Sequence, residues 1–345
     1  MYKAPKKFFR RFFLIFAAAH KKGPLFEPEQ KHSMSLLTVG TVAFDSIETP
    51  RGCAERIVGG AATYISLAAS YFARPIRLVS VIGDDFPEKT LEFMQQRGVE
   101  LEGLQRREGE KSFFWAGRYH DNMNARDTLD TQLNVLADFQ PHLPKGWENP
   151  DYVMLGNLTP QVQMQVIQQI ENRPKLVAMD TMNFWMDTAW DDLMQVLRKI
   201  DILIINDEEA RQMSEEYSLV RAAERIREMG PRYLIIKKGE HGALLFYEDQ
   251  IFFAPALPLY EVFDPTGAGD TFAGGFMGYM AQTDEISFDN MKRAIIYGSA
   301  MASFCVEKFG IERLTELDAD TIEKRVEAFA SLVNFSTNGK GALKD

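Results

Sequence analysis

Short apolar runs alternate with helical patterns along this chain from residue 36 onward. Strand–helix alternation over such a span predicts a doubly wound, mostly parallel β-sheet with helices on both faces, an α/β fold. A sheet of this kind binds its ligands at the carboxyl ends of its strands. The predicted strands span 36–40, 77–82, 152–155, 176–180, 202–205 and 233–236, and the predicted helices span 61–72, 87–97, 160–170, 187–199 and 207–229.

Two stretches, 44–58 and 99–128, interrupt the alternation with short β-type runs that have no helix between them. We expect them to form a small β lid over an edge of the large sheet, and an ordinary edge hairpin is the alternative. No repeat or low-complexity run divides the sequence. Residues 34–334 are therefore expected to form one α/β domain, followed by a polar tail, 335–345.

The composition limits the classes of partner. The chain has 345 residues, 46% hydrophobic and 26% charged, which suits a globular protein with a large core. Its net charge of −10 disfavours binding to nucleic acid and stable association with anionic membranes. The two cysteines, Cys53 and Cys305, lack metal-ligand spacing and indicate a reducing compartment, so we expect a cytoplasmic location.

Residues 1–33 differ from the rest of the chain in charge. Residues 1–31 hold eight lysines and arginines against two glutamates. Within this segment, the apolar run 12–19 follows the first group of basic residues. That run is too short to span a bilayer. Three interpretations stay open: a leader upstream of a start at Met34, a basic appendage that contacts a membrane or partner, and an export signal. We expect this extension to lie outside the α/β fold.

The segment 264–276, Asp-Pro-Thr-Gly-Ala-Gly-Asp-Thr-Phe-Ala-Gly-Gly-Phe, carries the strongest indication of chemistry. Gly267, Ala268 and Gly269 form a flexible turn that leads directly into a helical pattern. The N–H groups of such a turn and of the first helical turn form a site for a phosphoryl group. Asp270 at this junction is suited to act as a base that removes a proton from an attacking hydroxyl.

Other phosphate-binding motifs do not match this segment. A dinucleotide-binding fingerprint would need glycine where Phe272 stands, and a Walker-type loop would need Lys and Ser or Thr after the glycines. A plain helix start with an acid in its first turn is the remaining alternative. The length of the whole segment disfavours it.

This segment closely resembles the C-terminal motif of the ribokinase-like, PfkB-type carbohydrate and nucleoside kinases, and the resemblance extends over about 36–332. It implies a ribokinase-like fold with a β lid, Asp270 as general base beside the 267–269 anion hole, and ATP with Mg²⁺. It also implies a small-molecule sugar or nucleoside as acceptor. A monovalent cation such as K⁺ near Asp264, and a homodimer formed through the lid, are left open by the resemblance.

Two further segments resemble the nucleotide site of these kinases. Asn206 and Glu209 match the family's Asn-x-x-Glu motif, and Glu209 would act on hydrated Mg²⁺ through water. The alternative is an Asn N-cap with acids that favour the helix dipole. The segment 235–243 predicts a strand, a glycine turn that borders the nucleotide in the family, and a second strand. The candidate nucleotide-binding residues are Asn206, Lys238, Gly239, Gly242 and Thr266, with Lys237 as the alternative to Lys238.

The acceptor site is expected near three polar segments and the lid. The di-glycine at Gly59 and Gly60 resembles the family's motif before the first helix, and Asp45 stands where relatives hold an acid that binds substrate hydroxyls. Thr63 and Tyr64 stand where many members have asparagine, which changes the expected sugar pose. Trp115 in the lid and Tyr64 are candidate stacking surfaces. The candidate acceptor-binding residues are Asp45, Gly59, Gly60, Arg118, Asp180 and Asn183.

The sequence thus predicts ATP-dependent phosphorylation of a hydroxyl on a small sugar or sugar-like acceptor. A nucleoside kinase of the same fold is the first alternative. A non-catalytic sugar-sensing protein is the second, and the intact Asp270 argues against it because a binding protein has no use for the base. An NAD-binding protein is disfavoured by Phe272.

Overall fold

The computed structural model describes residues 34–334, so the expectations for residues 1–33 and 335–345 fall outside the described residues. Among the described residues, no helix is long and apolar enough to cross a membrane. The strands are β1 (Leu36–Val39), β2 (Ala43–Thr49), β3 (Gly52–Gly59), β4 (Ile76–Gly83), β5 (Val99–Glu100), β6 (Leu104–Arg107), β7 (Phe113–Tyr119), β8 (Arg126–Gln132), β9 (Tyr152–Leu155), β10 (Leu176–Asp180), β11 (Ile202–Asn206), β12 (Tyr233–Lys237), β13 (Ala243–Tyr247) and β14 (Gln250–Ala254). The helices are α1 (Ala61–Ala69), α2 (Glu88–Gln96), α3 (Pro160–Gln168), α4 (Asn183–Thr188), α5 (Trp190–Leu197), α6 (Asp207–Ser214), α7 (Leu219–Glu228), α8 (Ala268–Thr283), α9 (Phe288–Cys305), α10 (Glu312–Thr315) and α11 (Ala319–Val333).

Within residues 34–334, ten strands form the large sheet, in the order β14-β13-β12-β11-β10-β9-β1-β4-β5, with β6 also paired to β4. Neighbouring strands from β12 to β5 are parallel, whereas β13 and β14 pair antiparallel. The predicted doubly wound, mostly parallel sheet is therefore confirmed. Because the chain leaves β1 toward β4 and later returns to β9 on the other side, the strand order reverses at β1, where such folds place their ligands.

The central strands are buried on both faces because successive side chains point into different helix layers. In β9, Tyr152 and Met154 belong to a core that includes residues of α1, α8 and α9. Val153 and Leu155 belong to the opposite core, with residues of α3, α5, α6 and α7.

Glycines bring α8 close to both neighbouring helices. A Cβ atom at Gly274 would lie 2.3 Å from the carbonyl oxygen of Ile65 in α1. One at Gly275 would lie 2.9 Å from Cγ of Met301 in α9. This close packing fixes the position of α8, and therefore also the position of its first turn.

Four strands form a separate small sheet, in the order β3-β2-β7-β8. Phe44, Val58 and Phe114 pack on the core of the large sheet. Residues 44–58 and 113–128 of the predicted lid stretches therefore lie in this small sheet or its connecting turn.

The first part of the second predicted lid stretch belongs to the large sheet instead. β5 and β6 pair with β4, with Val99 opposite Ile76 and Leu104 opposite Ser80. After α2 the chain returns beside β4, and β5 and β6 pair with β4 in the parallel direction. They therefore add to the outer edge of the large sheet. The prediction that the lid begins at residue 99 is wrong for β5 and β6.

Candidate active site

Three neighbouring strands of the large sheet carry polar side chains at their carboxyl ends. Asp180 ends β10, Asn206 ends β11 and Lys237 ends β12. These strands are parallel neighbours, and Asn206 lies directly opposite Lys237. Their carboxyl ends therefore meet, and the candidates Asp180 and Asn206 lie in one cluster.

Lys237 is the cation of this cluster. Its Nζ lies 3.4 Å from Oδ2 of Asp180, and both side chains are largely buried. Burial lowers the pKa of Lys237, but the carboxylates of Asp180, Glu209 and Asp270 oppose this, and the pKa is raised overall. The lysine therefore stays protonated among three acids.

Lys238, the preferred lysine candidate from the sequence, lies in the turn after β12. The backbone N–H of Lys238 donates to the carbonyl of Gly242 at 2.7 Å. Gly239 and Gly242 have φ angles of 53° and 93°, which favour glycine. The signal for Lys237 was present in the sequence, because the residue that follows the apolar run 233–236 completes the strand.

The first turn of α8 brings the candidate base to these strand ends. Gly267 precedes the helix with φ 73° and ψ 0°. A Cβ atom at Gly269 would lie 2.8 Å from Nζ of Lys237, so glycine allows the turn to approach the lysine. The N–H of Ala268 donates to the carbonyl of Pro265 at 3.2 Å. One of the three predicted anion-hole donors is therefore already engaged within the turn.

Asp270 lies in the first turn of α8 and remains partly accessible. Burial, followed by the charge of Asp180, raises the pKa of Asp270 to about 7, and the charge of Lys237 opposes this rise. A carboxylate with this pKa can accept a proton near neutral pH. Its position at a helix N-terminus places it beside N–H groups that stabilise negative charge.

The turn before α8 is fixed by a buried carboxylate. Asp264 accepts hydrogen bonds from the backbone N–H groups of Thr266 at 2.8 Å and Gly310 at 3.0 Å. Burial raises the pKa of Asp264, and these hydrogen bonds oppose the rise. Asp264 therefore holds the turn, and its part in a monovalent-cation site stays a prediction.

Asn206 and Glu209 form a capping box at the start of α6. Oδ1 of Asn206 accepts from the backbone N–H of Glu209, and Oε2 of Glu209 accepts from that of Asn206, each at 2.8 Å. Burial, followed by the charge of Asp180, raises the pKa of Glu209 to about 7. The N-cap interpretation thus holds for Asn206, while the Glu209 carboxylate still lies within electrostatic range of the cluster.

Asp45 in β2 lies in the same electrostatic environment as Asp270. A Cβ atom at Gly59 would lie 1.8 Å from Oδ2 of Asp45, so the di-glycine allows the backbone to meet this carboxylate. Burial, followed by the charges of Asp264 and Asp270, raises the pKa of Asp45 to about 7, and the N–H of Gly60 opposes this rise. Asp45, Gly59 and Gly60 are thus brought together as expected.

Tyr64 lies beneath the Gly267 turn. Tyr64 is 1% exposed, and a Cβ atom at Gly267 would lie 2.4 Å from its ring. Its hydroxyl has no hydrogen-bond partner among the described residues. The ring therefore supports the turn from below, and it is not an exposed stacking surface.

The small sheet contributes an aromatic row. Trp115 lies directly opposite Asp45, so both side chains point to the same face. Tyr119 follows on that face of β7, and its hydroxyl lies 3.2 Å from Oγ1 of Thr266. The row thus extends from the candidate hydroxyl ligand to the turn before α8.

Two candidate acceptor ligands are not brought to this cluster. Arg118 points to the other face of β7 from Tyr119, because side chains alternate along a strand. It pairs with Glu48 at 2.5 Å, and both side chains are about half exposed. Asn183 begins α4, and its side-chain amide donates to Gln212.

Comparisons with known proteins identify the fold. A cytidine kinase of Thermococcus kodakarensis is 26% identical over 252 residues, which is 71% of this chain and 88% of that protein. The solved nucleoside kinase of Methanocaldococcus jannaschii has a TM-score of 0.68 at 20% identity, covering 85% of this chain and 98% of that one. An E. coli protein described as ribokinase II, solved with ATP and Mg²⁺, has a TM-score of 0.69 at 18% identity, covering 87% and 99%.

The family itself is shown by the match of a family model to most of the chain. The model of the pfkB family carbohydrate kinases matches residues 36–316, which include the small sheet, the three strand ends and the segment 264–276. The predicted resemblance is therefore confirmed. The chain belongs to the pfkB family of carbohydrate kinases, phosphotransferases with an alcohol group as acceptor.

Proposed function

We propose that this enzyme transfers the terminal phosphoryl group of ATP to a hydroxyl of a nucleoside or free sugar, with Asp270 as the general base. One observation carries the proposal: a carboxylate with a pKa near 7 stands in the first turn of α8, beside Lys237. A binding protein without catalysis would have no need for this costly arrangement, because burying acids together destabilises their charged forms.

The catalytic step follows from the placement of these groups. Asp270 accepts the proton of the acceptor hydroxyl as its oxygen attacks phosphorus, and the bond to the leaving oxygen of ADP breaks in line. The N–H groups of Gly267 and Gly269 and the charge of Lys237 stabilise the negative charge on the transferred group. The Ala268 N–H, which donates to Pro265, contributes less.

The nucleotide side of the proposal rests on the strand ends and the Gly239 turn. Within residues 34–334, no group of three or more His, Cys, Asp or Glu side chains is arranged to hold a metal directly. The oxygen donors of Glu209 and Asp180 fit hydrated Mg²⁺ held through water. When bound, Mg²⁺ would neutralise phosphate charge. Asp264 remains the candidate for a monovalent-cation site. Lys238, Gly239, Gly242 and Thr266 remain candidates for the nucleotide.

The acceptor side favours a nucleoside. Asp45 can accept hydrogen bonds from sugar hydroxyls, and Trp115 beside it offers a flat surface on which a base can stack. The cytidine kinase and nucleoside kinase named above support this choice. A free sugar is the second candidate, because Asp45 and the di-glycine alone suit a polyol.

The cellular setting completes the proposal. We infer a cytoplasmic enzyme that works on a small molecule, since ATP is the expected donor and the described cysteines, Cys53 and Cys305, are free. Pairing of two chains through the small sheet stays a proposal, supported by its exposed edge strand β8.

The test is a thermal-shift panel of nucleosides, sugars and sugar acids with an ATP analogue, followed by ADP-release assays on the hits. We expect a nucleoside to give the largest shift. Trp115→Ala should raise the KM for that nucleoside by about ten-fold, the scale of one stacked base, and leave the KM for ATP within about two-fold. A sugar that outcompetes every nucleoside would replace the nucleoside assignment, and no ADP release with any acceptor would contradict the kinase proposal.

A further inference from the structure

Arg126 is a charged residue of the small sheet that no motif in the sequence assigns. It is the first residue of β8 and lies directly opposite Tyr119 in β7. Directly opposed residues of an antiparallel pair point to the same face. Since Tyr119 contacts Thr266 on that face, the Arg126 side chain is also on the side of the turn before α8.

The tip of the same hairpin reaches the nucleotide turn. A Cβ atom at Gly239 would lie 2.5 Å from Oδ1 of Asn124, so glycine allows the tip to approach this turn. The β7–β8 hairpin therefore contacts the Thr266 turn through Tyr119 and the Gly239 turn through Asn124. Arg126 lies directly opposite Tyr119, which makes the first contact, and two residues after Asn124, which makes the second.

The guanidinium of Arg126 is available to an anion. It lies 5.8 Å from the ring centroid of Trp115. Within residues 34–334, its side chain forms no ion pair or hydrogen bond with a carboxylate. Its charge nevertheless acts on the cluster, because it opposes the rise in the pKa of both Glu209 and Asp270.

We propose that Arg126 binds the terminal phosphoryl group of the nucleotide from the small sheet, while Lys237 contributes positive charge from the large sheet. This inference rests on the proposed function. As the acceptor oxygen bonds to phosphorus and the bond to ADP breaks, the guanidinium N–H groups stay on the oxygens of the transferred group, and the proton goes to Asp270. The hairpin thereby links acceptor binding at Trp115 to charge neutralisation at the phosphoryl group.

The experiment compares Arg126→Gln with wild type in calorimetric binding of ADP and of a non-hydrolysable ATP analogue, both with Mg²⁺. We expect affinity for the analogue to fall by about ten- to hundred-fold, the cost of a charged hydrogen bond. Affinity for ADP should stay within about two-fold. Arg126→Lys should recover part of the loss, because it keeps the charge but not the planar donors.

The matched control is Arg51→Gln in the turn between β2 and β3, which removes one exposed positive charge from the same small sheet. It should leave both affinities unchanged, and Tm should be equal for all three variants. Equal losses for ADP and the analogue, or no loss for either, would overturn the role of Arg126. Because the readout is binding, this outcome is separate from the kinase proposal, which fails only if wild type releases no ADP with any acceptor.

Discussion

Lys237 opposes the raised pKa values of three carboxylates at the carboxyl ends of the strands. Burial raises the pKa of Asp180, Glu209 and Asp270, and the charge of Lys237 opposes the rise in each case. The pKa of Asp270 therefore lies near neutral pH. At that pH the deprotonated, basic form is populated, and it can still accept a proton.

Replacing Asp270 with asparagine should remove the base and keep the shape. We expect kcat to fall by about 10²- to 10⁴-fold with little change in ATP affinity. In wild type, kcat/KM should rise with pH through about 7, because the deprotonated carboxylate is the active form. ADP-release kinetics across pH, with ATP affinity from calorimetry, measure both effects. An unchanged kcat in the variant would remove Asp270 from its assigned role.

The sequence predicted most of the residues in this cluster but not their orientation. Asp45, Asp180 and Asp270 could be placed because each follows a strand or opens a helix. Lys237 was only the alternative to Lys238, although its place after the apolar run 233–236 indicated it. Arg118 could not be oriented, because one position decides which way a strand residue points. Arg118 is on the wrong face for the cleft, whereas Arg126, which has no motif around it, shares a face with Tyr119.

Among the elements, α6 begins with a capping box that also supplies an acid to the cluster. Asn206 and Glu209 satisfy each other's backbone N–H groups. A glutamine at position 209 can keep this box, because its side-chain oxygen can accept the same hydrogen bond. The charge of Glu209 can therefore be separated from its structural part in the helix.

Glu209→Gln should raise the Mg²⁺ concentration needed for half-maximal rate by about ten-fold, since an acid that binds the hydrated ion through water is lost. Tm should change little because the capping box is kept. A magnesium titration of ADP release at saturating ATP measures the effect. A titration that coincides with wild type would leave Glu209 with its capping role alone.

The elements were predicted best where strand and helix patterns were long. The parallel strands from β9 to β12 follow from their apolar runs. β5 has two residues, Val99 and Glu100, and β6 has four. Runs this short carry no period of their own, and their assignment to the large sheet depends on pairing with β4, which the sequence does not show.

Over residues 34–334 as a whole, five acids that are buried or partly buried at the site share one sign of pKa shift. Asp45, Asp180, Asp264, Glu209 and Asp270 all have raised pKa values. Burial is the largest cause of the raised pKa in each of these acids, so the rise does not depend on a bound ligand. The protonated forms contribute stability that is fully present below the pKa values of the unfolded state, about 4. This stability is lost as the pH rises through the pKa values of the folded state, which are about 7 for Asp45, Glu209 and Asp270.

The unliganded enzyme should therefore lose stability between about pH 5 and pH 8, since the unfolded state binds fewer protons than the folded state over much of this range. Asp45→Asn should make this loss smaller, because the amide needs no proton when buried, while Asp249→Asn in the exposed turn after β13 should leave it unchanged. Urea unfolding at several pH values measures the slope. Equal slopes for wild type and Asp45→Asn would mean that Asp45 is ionised in the folded enzyme at no cost.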